Sequence, residues 1–304
     1  MPLWIAITIS AAFLQNIRSV LQKHLKGTLS TTGATFIRFA FGVPFALIYL
    51  FGYAWLTGAA IPSANGDFVF WVVIAALAQI GGQMLLVMLF SFRNFAVGTA
   101  YSRTEPAQAA LFAFIVFAET ISATAILAIV MAVLGVMLIS VARTPFSWRS
   151  LVISTFSRTA LIGLGSGAFF GIAAAGFRAA SLSLEPDMAS PDFILQAGFT
   201  LVAATGFQTL LMGCYMALKQ PEQFGNIARA WKPSLATGFV GATASFGWFM
   251  AMTLQQSAIV KALAQIEMLF SFASSVFIFK ESINRLEITG CLFIVCGVLI
   301  LVLG

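Results

Sequence analysis

Charge is what this sequence has least of. Lys, Arg, Asp and Glu make up 9% of its 304 residues, against roughly 25% in a soluble domain. A globule dissolved in water is excluded. Histidine occurs once, as His24 in a loop, and no HExxH zinc motif is present. A serine–histidine pair deep in an apolar run is therefore unavailable, and the chain is not expected to be an enzyme. The three cysteines, Cys214, Cys291 and Cys296, all fall in apolar runs without metal-type spacing. They read as small hydrophobes, with no disulfide framework and no metal site. No Walker motif occurs, so ATP does not drive the activity, and no cofactor is expected. The net charge of +6 is spread over scattered Lys and Arg residues, with no basic block. That argues against a nucleic-acid partner.

What is there is apolar: 60% of the chain is hydrophobic. A transmembrane helix needs about 20 such residues. Ten spans are expected, over roughly 3–22, 31–56, 68–92, 96–118, 122–142, 159–183, 193–218, 234–256, 258–279 and 286–303. The fold class is thus an all-α membrane protein. The N-terminal "MPLWIAITIS" lacks the basic region of a cleaved signal peptide, so the first helix is expected to stay as a membrane anchor. The longest connection, 143–158, separates a first five-helix repeat (1–142) from a second (159–304).

The two halves resemble each other. A shift of 162 carries Glu105 onto Glu267, Glu119 onto Glu281 and Gly135 onto Gly297; Arg18 and Arg178 match at a shift of 160. Five spans per half turn the second copy over in the bilayer. Inverted repeats of this kind mark secondary transporters, with the site near the midplane.

"IEMLFSFASSVFIFKESINRLEITGCLFIVCGVLILV" (266–302), "TEPAQAALFAFIVFAETIS" (104–122) and "ATFIRFAFGVP" (34–44) resemble the EamA-type members of the drug/metabolite transporter superfamily. The resemblance runs along essentially the whole chain. It implies ten helices in two inverted repeats and a central cavity lined by spans 1, 3, 4, 6, 8 and 9. It also implies export of small organic molecules.

The candidate site residues are the charges inside the spans. Glu105 and Glu267 lie about ten residues, or about 15 Å, into their helices. A carboxylate at that depth must be paired, hydrated or protonated. Both are candidates for binding substrate or carrying a proton, against the plainer reading of a structural pair. Arg103 is two residues from Glu105 and points to another side of the helix, so the two do not pair. Lys261 has two readings, snorkelling to the interface or a contact with Glu105. Arg18 and Arg178, near the ends of spans 1 and 6, are candidate gates, with snorkelling as the rival. Arg38 reads as structural, within snorkelling reach of the first loop. Tyr101 and Trp248 are candidates to line an apolar cavity. Glu119 and Glu281 read as helix-terminal caps.

Other features read as packing. In "GLGSGAFFGIAAAG" (163–176), small residues recur every fourth position. No strand precedes it, so a phosphate loop is rejected in favour of a stripe for close helix contact. "GGQ" (81–83) and "GATASFG" (241–247) read likewise. Pro44 and Pro106 imply kinks.

Five cations (Arg18, Arg38, Arg103, Arg178, Lys261) face two anions (Glu105, Glu267) within the spans. An anionic or zwitterionic cargo is therefore favoured over a cationic one, with proton antiport as the drive. The alternative is an intramembrane enzyme, or a lipid-precursor flippase, using the midplane carboxylates. Expected partners are the small-molecule substrate, protons and membrane lipids, in a monomer or homodimer. The odd connections hold eleven Lys and Arg and the even ones none. In a bacterial inner membrane this bias puts both termini outside the cytoplasm. The family more often has them inside.

Overall fold

The computed structural model describes residues 2–25, 28–89, 101–141, 158–188, 190–270 and 284–303. No strand occurs among them. The helices are α1 (Leu3–Leu25), α2 (Thr31–Ala40), α3 (Val43–Thr57), α4 (Gly66–Leu89), α5 (Glu105–Phe117), α6 (Ala123–Val141), α7 (Arg158–Leu182), α8 (Phe193–Lys219), α9 (Glu222–Arg229), α10 (Trp231–Leu254), α11 (Ser257–Leu263) and α12 (Arg285–Leu303). Most of the 143–158 connection, the Glu281 cap and the loop cations Lys26, Arg93, Arg143, Arg149 and Lys280 lie outside the described residues.

Among the described residues, five helical stretches are long and apolar enough to cross a membrane: Thr31–Thr57, Gly66–Leu86, Ala160–Leu182, Phe193–Lys219 and Trp231–Leu254. Leu3–Arg18, Glu105–Phe117 and Ala123–Ile139 are shorter apolar stretches. Their large apolar side chains turn outward, as at Trp55, Leu56, Ile115, Leu210 and Leu218. Such a surface is costly in water and natural against lipid hydrocarbon. The chain is a multi-pass membrane protein.

Local chemistry ends the helices where they end. Ser30 caps α2, its hydroxyl accepting from the Gly33 N–H at 3.1 Å. Asp192 caps α8, its Oδ1 accepting from Ile194 N and Leu195 N while Oδ2 accepts from the Tyr53 hydroxyl at 3.0 Å. A capping box opens α12: Leu286 N donates to Asn284 Oδ1, and Asn284 N donates to Glu287 Oε2, both at 2.9 Å. At the start of α6 the Ser122 hydroxyl accepts from Ala125 N.

The chain forms two compact units, Met1–Leu77 with Gly176–Leu254, and Ala78–Ala175 with Gln255–Gly304. In the first, α1 packs on α10, where a Cβ at Gly247 would stand 3.0 Å from Ala11 Cβ. There α8 lies along α2 and α3, with Leu50, Ala54 and Leu195 forming a buried cluster. In the second, α6 and α12 touch backbone to backbone. A Cβ at Gly135 would stand 2.6 Å from the Gly290 carbonyl oxygen, and one at Gly290 2.5 Å from the Gly135 carbonyl oxygen. Only glycine permits that approach. Ala109, Ile129, Val133, Ala258 and Ala262 fill the core beside it.

The small-residue stripe packs as its spacing implies. A Cβ at Gly171 would stand 2.9 Å from the Ala109 amide nitrogen, and one at Gly167 3.0 Å from the Ser102 carbonyl oxygen. A Cβ at Gly82 would stand 3.1 Å from the Phe170 ring.

Candidate functional site

Helix α5 begins at Glu105 because the chain breaks just before it. Arg103 and Thr104 form a turn, Thr104 N donates to the Tyr101 carbonyl, and the Thr104 hydroxyl donates to the same oxygen at 2.7 Å. Pro106, in the first turn of α5, has no N–H to leave unmet there. Gln108 reaches back, its Nε2 donating to Thr104 Oγ1 at 2.6 Å. The break leaves amide groups and the positive end of a helix dipole at the Glu105 carboxylate.

Lys261, in α11, brings its Nζ to 2.9 Å from Glu105 Oε1; the two side chains are 20% and 18% exposed. The oxygen lacks a well-aligned hydrogen bond, so the contact is ionic in character rather than a directed bond. Of the two readings of Lys261, the contact with Glu105 is the one present. Helix α11 stops at a second break, the turn Ala264–Gln265. There Glu267 N donates to the Ala264 carbonyl at 3.0 Å. Glu267 therefore also stands at the start of a helical segment. Tyr101 is buried and Arg103 half-buried beside the first break. Tyr101, Arg103, Glu105, Lys261 and Glu267 all belong to the second unit.

Trp248, Arg18, Arg38 and Arg178 belong to the first unit. Trp248 is buried, and its Nε1 donates to Gln15 Oε1 at 3.1 Å. Arg178 lies at the end of α10, its Nη1 donating to the Met252 carbonyl at 2.6 Å and the Thr253 carbonyl at 3.3 Å. This is a cation at a helix C-terminus, satisfying carbonyls that have no partner within the helix. Arg38 occupies the last turn of α2, just before a break at Phe41–Gly42. It is buried among protein rather than snorkelling, and its guanidinium lies 5.1 Å from the Phe39 ring centroid.

The sequence reading did not single out Gln15, Gln108, Asp192 or the Asn284–Glu287 box. Asp192 and "NRLE" each precede an apolar run and were legible as caps. The glutamine contacts carry no sequence signal.

Apolar helices, interrupted where charges are held, define a class: a polytopic membrane protein. The model of the EamA-like transporter family matches residues 2–141, so the resemblance stands for the first half of the chain. A crystal structure of another protein superposes with a TM-score of 0.71 at 15% identity, covering 99% of this chain and 96% of its own. At that identity the likeness shows the fold alone. No curated protein sequence matches the chain.

Proposed function

We propose that this protein is a secondary transporter of ten spans in two inverted repeats. It exports a small organic anion or zwitterion in exchange for protons, and Glu105 and Glu267 carry the exchange. The observation that carries this reading is the Glu105–Lys261 pair, a carboxylate held by a cation at a broken helix. Broken helices at mid-depth are where transporters of this architecture bind substrate and coupling ions.

The inverted repeat has independent support. Thr31–Thr57 and Ala123–Val141 recur 162 residues on as Phe193–Lys219 and Arg285–Leu303. The packing partners also respect the exchange of halves. Ala11 meets Gly247 and Arg18 meets Gly241, so α1 and α10 run antiparallel. Their counterparts α7 and α4 do the same, with Ala75 against Gly176 and Leu85 against Gly165. Gly297 against Ala128 and Gly290 against Gly135 make α6 and α12, equivalent to each other, antiparallel as well. Gly213 on Phe36 and Gly198 on Leu50 do so for α8 against α2 and α3. Equivalent helices that run in opposite directions are what inversion requires.

The test is flux in proteoliposomes with and without a pH gradient, using labelled carboxylates and amino acids. Wild type should move cargo against its gradient when protons run the other way. Folded Glu105→Gln and Glu267→Gln variants should lose that pH-driven component. If both transport at wild-type rates from pH 6 to 8, neither carboxylate carries the proton.

A further inference from the structure

We propose that the exposed face of α9, with the two helix ends that flank it, is a binding surface for the headgroups of anionic phospholipids. Lys219, Arg229 and Lys232 supply the charge that holds the phosphate, and Leu218, Trp231 and Leu235 meet the glycerol and the first part of the acyl chains. The surface adds to the export reading and does not depend on it.

Its placement follows from connectivity. Helix α9 has eight residues, about 12 Å of length, too short to cross a bilayer. It joins Phe193–Lys219 to Trp231–Leu254, two stretches long and apolar enough to cross. Residues 219–232 therefore lie at a membrane surface. One face of α9 is fixed to the protein. Gln223 and Ile227, one turn apart, are buried, and the helix packs on α2 and α10. Ser30, the cap of α2, ties it down: its backbone N–H donates to Gln223 Oε1 at 2.9 Å and its hydroxyl donates to Gln220 Oε1 at 3.0 Å. The Phe224 ring meets the Phe36 ring edge-on, with centroids 6.0 Å apart. The opposite face is open. A Cβ at Gly225, one turn before Arg229, would find nothing within 4 Å.

The charge on this open side is uncompensated. Lys219, Arg229 and Lys232 are all exposed. Among the described residues their side chains make no ion pair and no hydrogen bond, and Lys232 has only the Trp231 ring, 5.7 Å away. The single acid of the segment, Glu222, opens α9 two turns from Arg229. Basic residues gathered beside a bilayer draw anionic headgroups to them. A soluble anion would use the charges alone, but apolar side chains stand exposed next to them. Leu218 is 81% exposed, Trp231 52% and Leu235 38%. Leu218 and Leu235 lie on the span side of the cations, where acyl chains begin. A tryptophan at headgroup depth, with lysine stems along apolar surface, suits the same boundary. Charge and apolar surface together fit a lipid.

Binding is the readout, so a failure here leaves export standing, and the reverse. Purified full-length protein in detergent is mixed with equal amounts of dioleoyl-phosphatidylglycerol and dioleoyl-phosphatidylcholine, and the retained lipids are counted by native mass spectrometry. Wild type is expected to hold the anionic lipid about 5-fold or more over the zwitterionic one. The triple change Lys219→Gln, Arg229→Gln and Lys232→Gln should cut that ratio to about half or less. Arg285→Gln, which removes an exposed arginine at the start of α12, should leave it unchanged. An excess of glycerol 1-phosphate should not displace the lipid. Equal retention of the two lipids by wild type overturns the surface, as does a preference that survives the triple change or falls as far in Arg285→Gln. Displacement by glycerol 1-phosphate overturns it too, because the occupant is then a soluble phosphate. Should the triple variant not fold, the three single variants replace it. A lower ratio in two or more of them supports the surface, and an unchanged ratio in two or more overturns it.

Discussion

At the scale of single residues, four of the charges inside the spans, Glu105, Glu267, Arg38 and Arg178, share one rule of sign, which Arg18, seven residues before the end of α1, does not follow. Glu105 stands at the N-terminus of α5 and Glu267 just after the break that follows α11. Arg38 is in the last turn of α2, and Arg178 donates to the final carbonyls of α10. Anions lie at helix starts and cations at helix ends, as the helix dipole favours. The Glu105–Lys261 contact adds a direct ion pair to this field. Exchanging the two, Glu105→Lys with Lys261→Glu, tests its share. Each single change should lower the melting temperature in detergent, and the double change should recover part of the loss, with a coupling of about 1–2 kcal/mol. Full recovery is not expected, because the Glu105→Lys change sets an ammonium against the positive end of α5. Additive losses would mean that the pair contributes nothing. The sequence made Glu105 conspicuous through its depth, and offered a contact with it as one of two fates for Lys261. It placed Arg38 within snorkelling reach of the first loop, whereas the side chain is buried among protein. Depth along a helix can be read from a sequence, but the neighbour that a side chain meets depends on how the helix is rotated.

At the scale of elements, the breaks and the close crossings matter most. Among the described residues, two of the three breaks were marked by proline: Pro44 and Pro106 fall in the first turns of α3 and α5. The third, Ala264–Gln265, contains neither proline nor glycine, and nothing local announces it. The glycine crossings were legible as a four-residue period, though the period does not say what each glycine touches. Gly171→Ala would press a methyl to 2.9 Å from the Ala109 amide nitrogen, which is backbone and cannot swing aside. The expected cost is about 1–3 kcal/mol. Gly206→Ala, in α8 where nothing stands within 4 Å of the added carbon, should be neutral or stabilising by up to about 1 kcal/mol. Melting the two variants side by side checks this, and equal behaviour would show that the α5–α7 approach is not tight. A further site is Ala118, which ends α5 at φ 52°. Glycine adopts that left-handed conformation without the Cβ clash, so Ala118→Gly should raise the melting temperature slightly. A fall would place the value of Ala118 in its side chain.

At the scale of the whole molecule, the distribution of charge at the helix ends bears on which way the chain lies in the bilayer. Lys219, Arg229 and Lys232 gather around the short helix α9 between α8 and α10, and Lys232 rests 5.7 Å from the Trp231 ring centroid. Arg158 opens α7 and Arg285 opens α12. The connection from α7 to α8 carries Glu185, Asp187 and Asp192 and no cation. Basic connections stay in the cytoplasm because moving Lys and Arg across the membrane is unfavourable, whereas acidic connections exert little pull. Aromatic residues such as Trp231 anchor at the interface that their basic neighbours choose. With ten spans the two ends lie on the same side. On the proposed ten-span reading, we infer that the odd connections face the cytoplasm and both termini face out. The expected outcome in a bacterial host is that alkaline phosphatase fused after Gly304 is active, while green fluorescent protein fused there is dark. Moving both reporters into the α8–α9 connection should reverse the pattern. A fluorescent C-terminal fusion would overturn the orientation. If the charge bias then proved to be outweighed by signals in the first helix, the exchange assigned to Glu105 and Glu267 would stand unchanged, because it depends on the repeats and not on which mouth is named first.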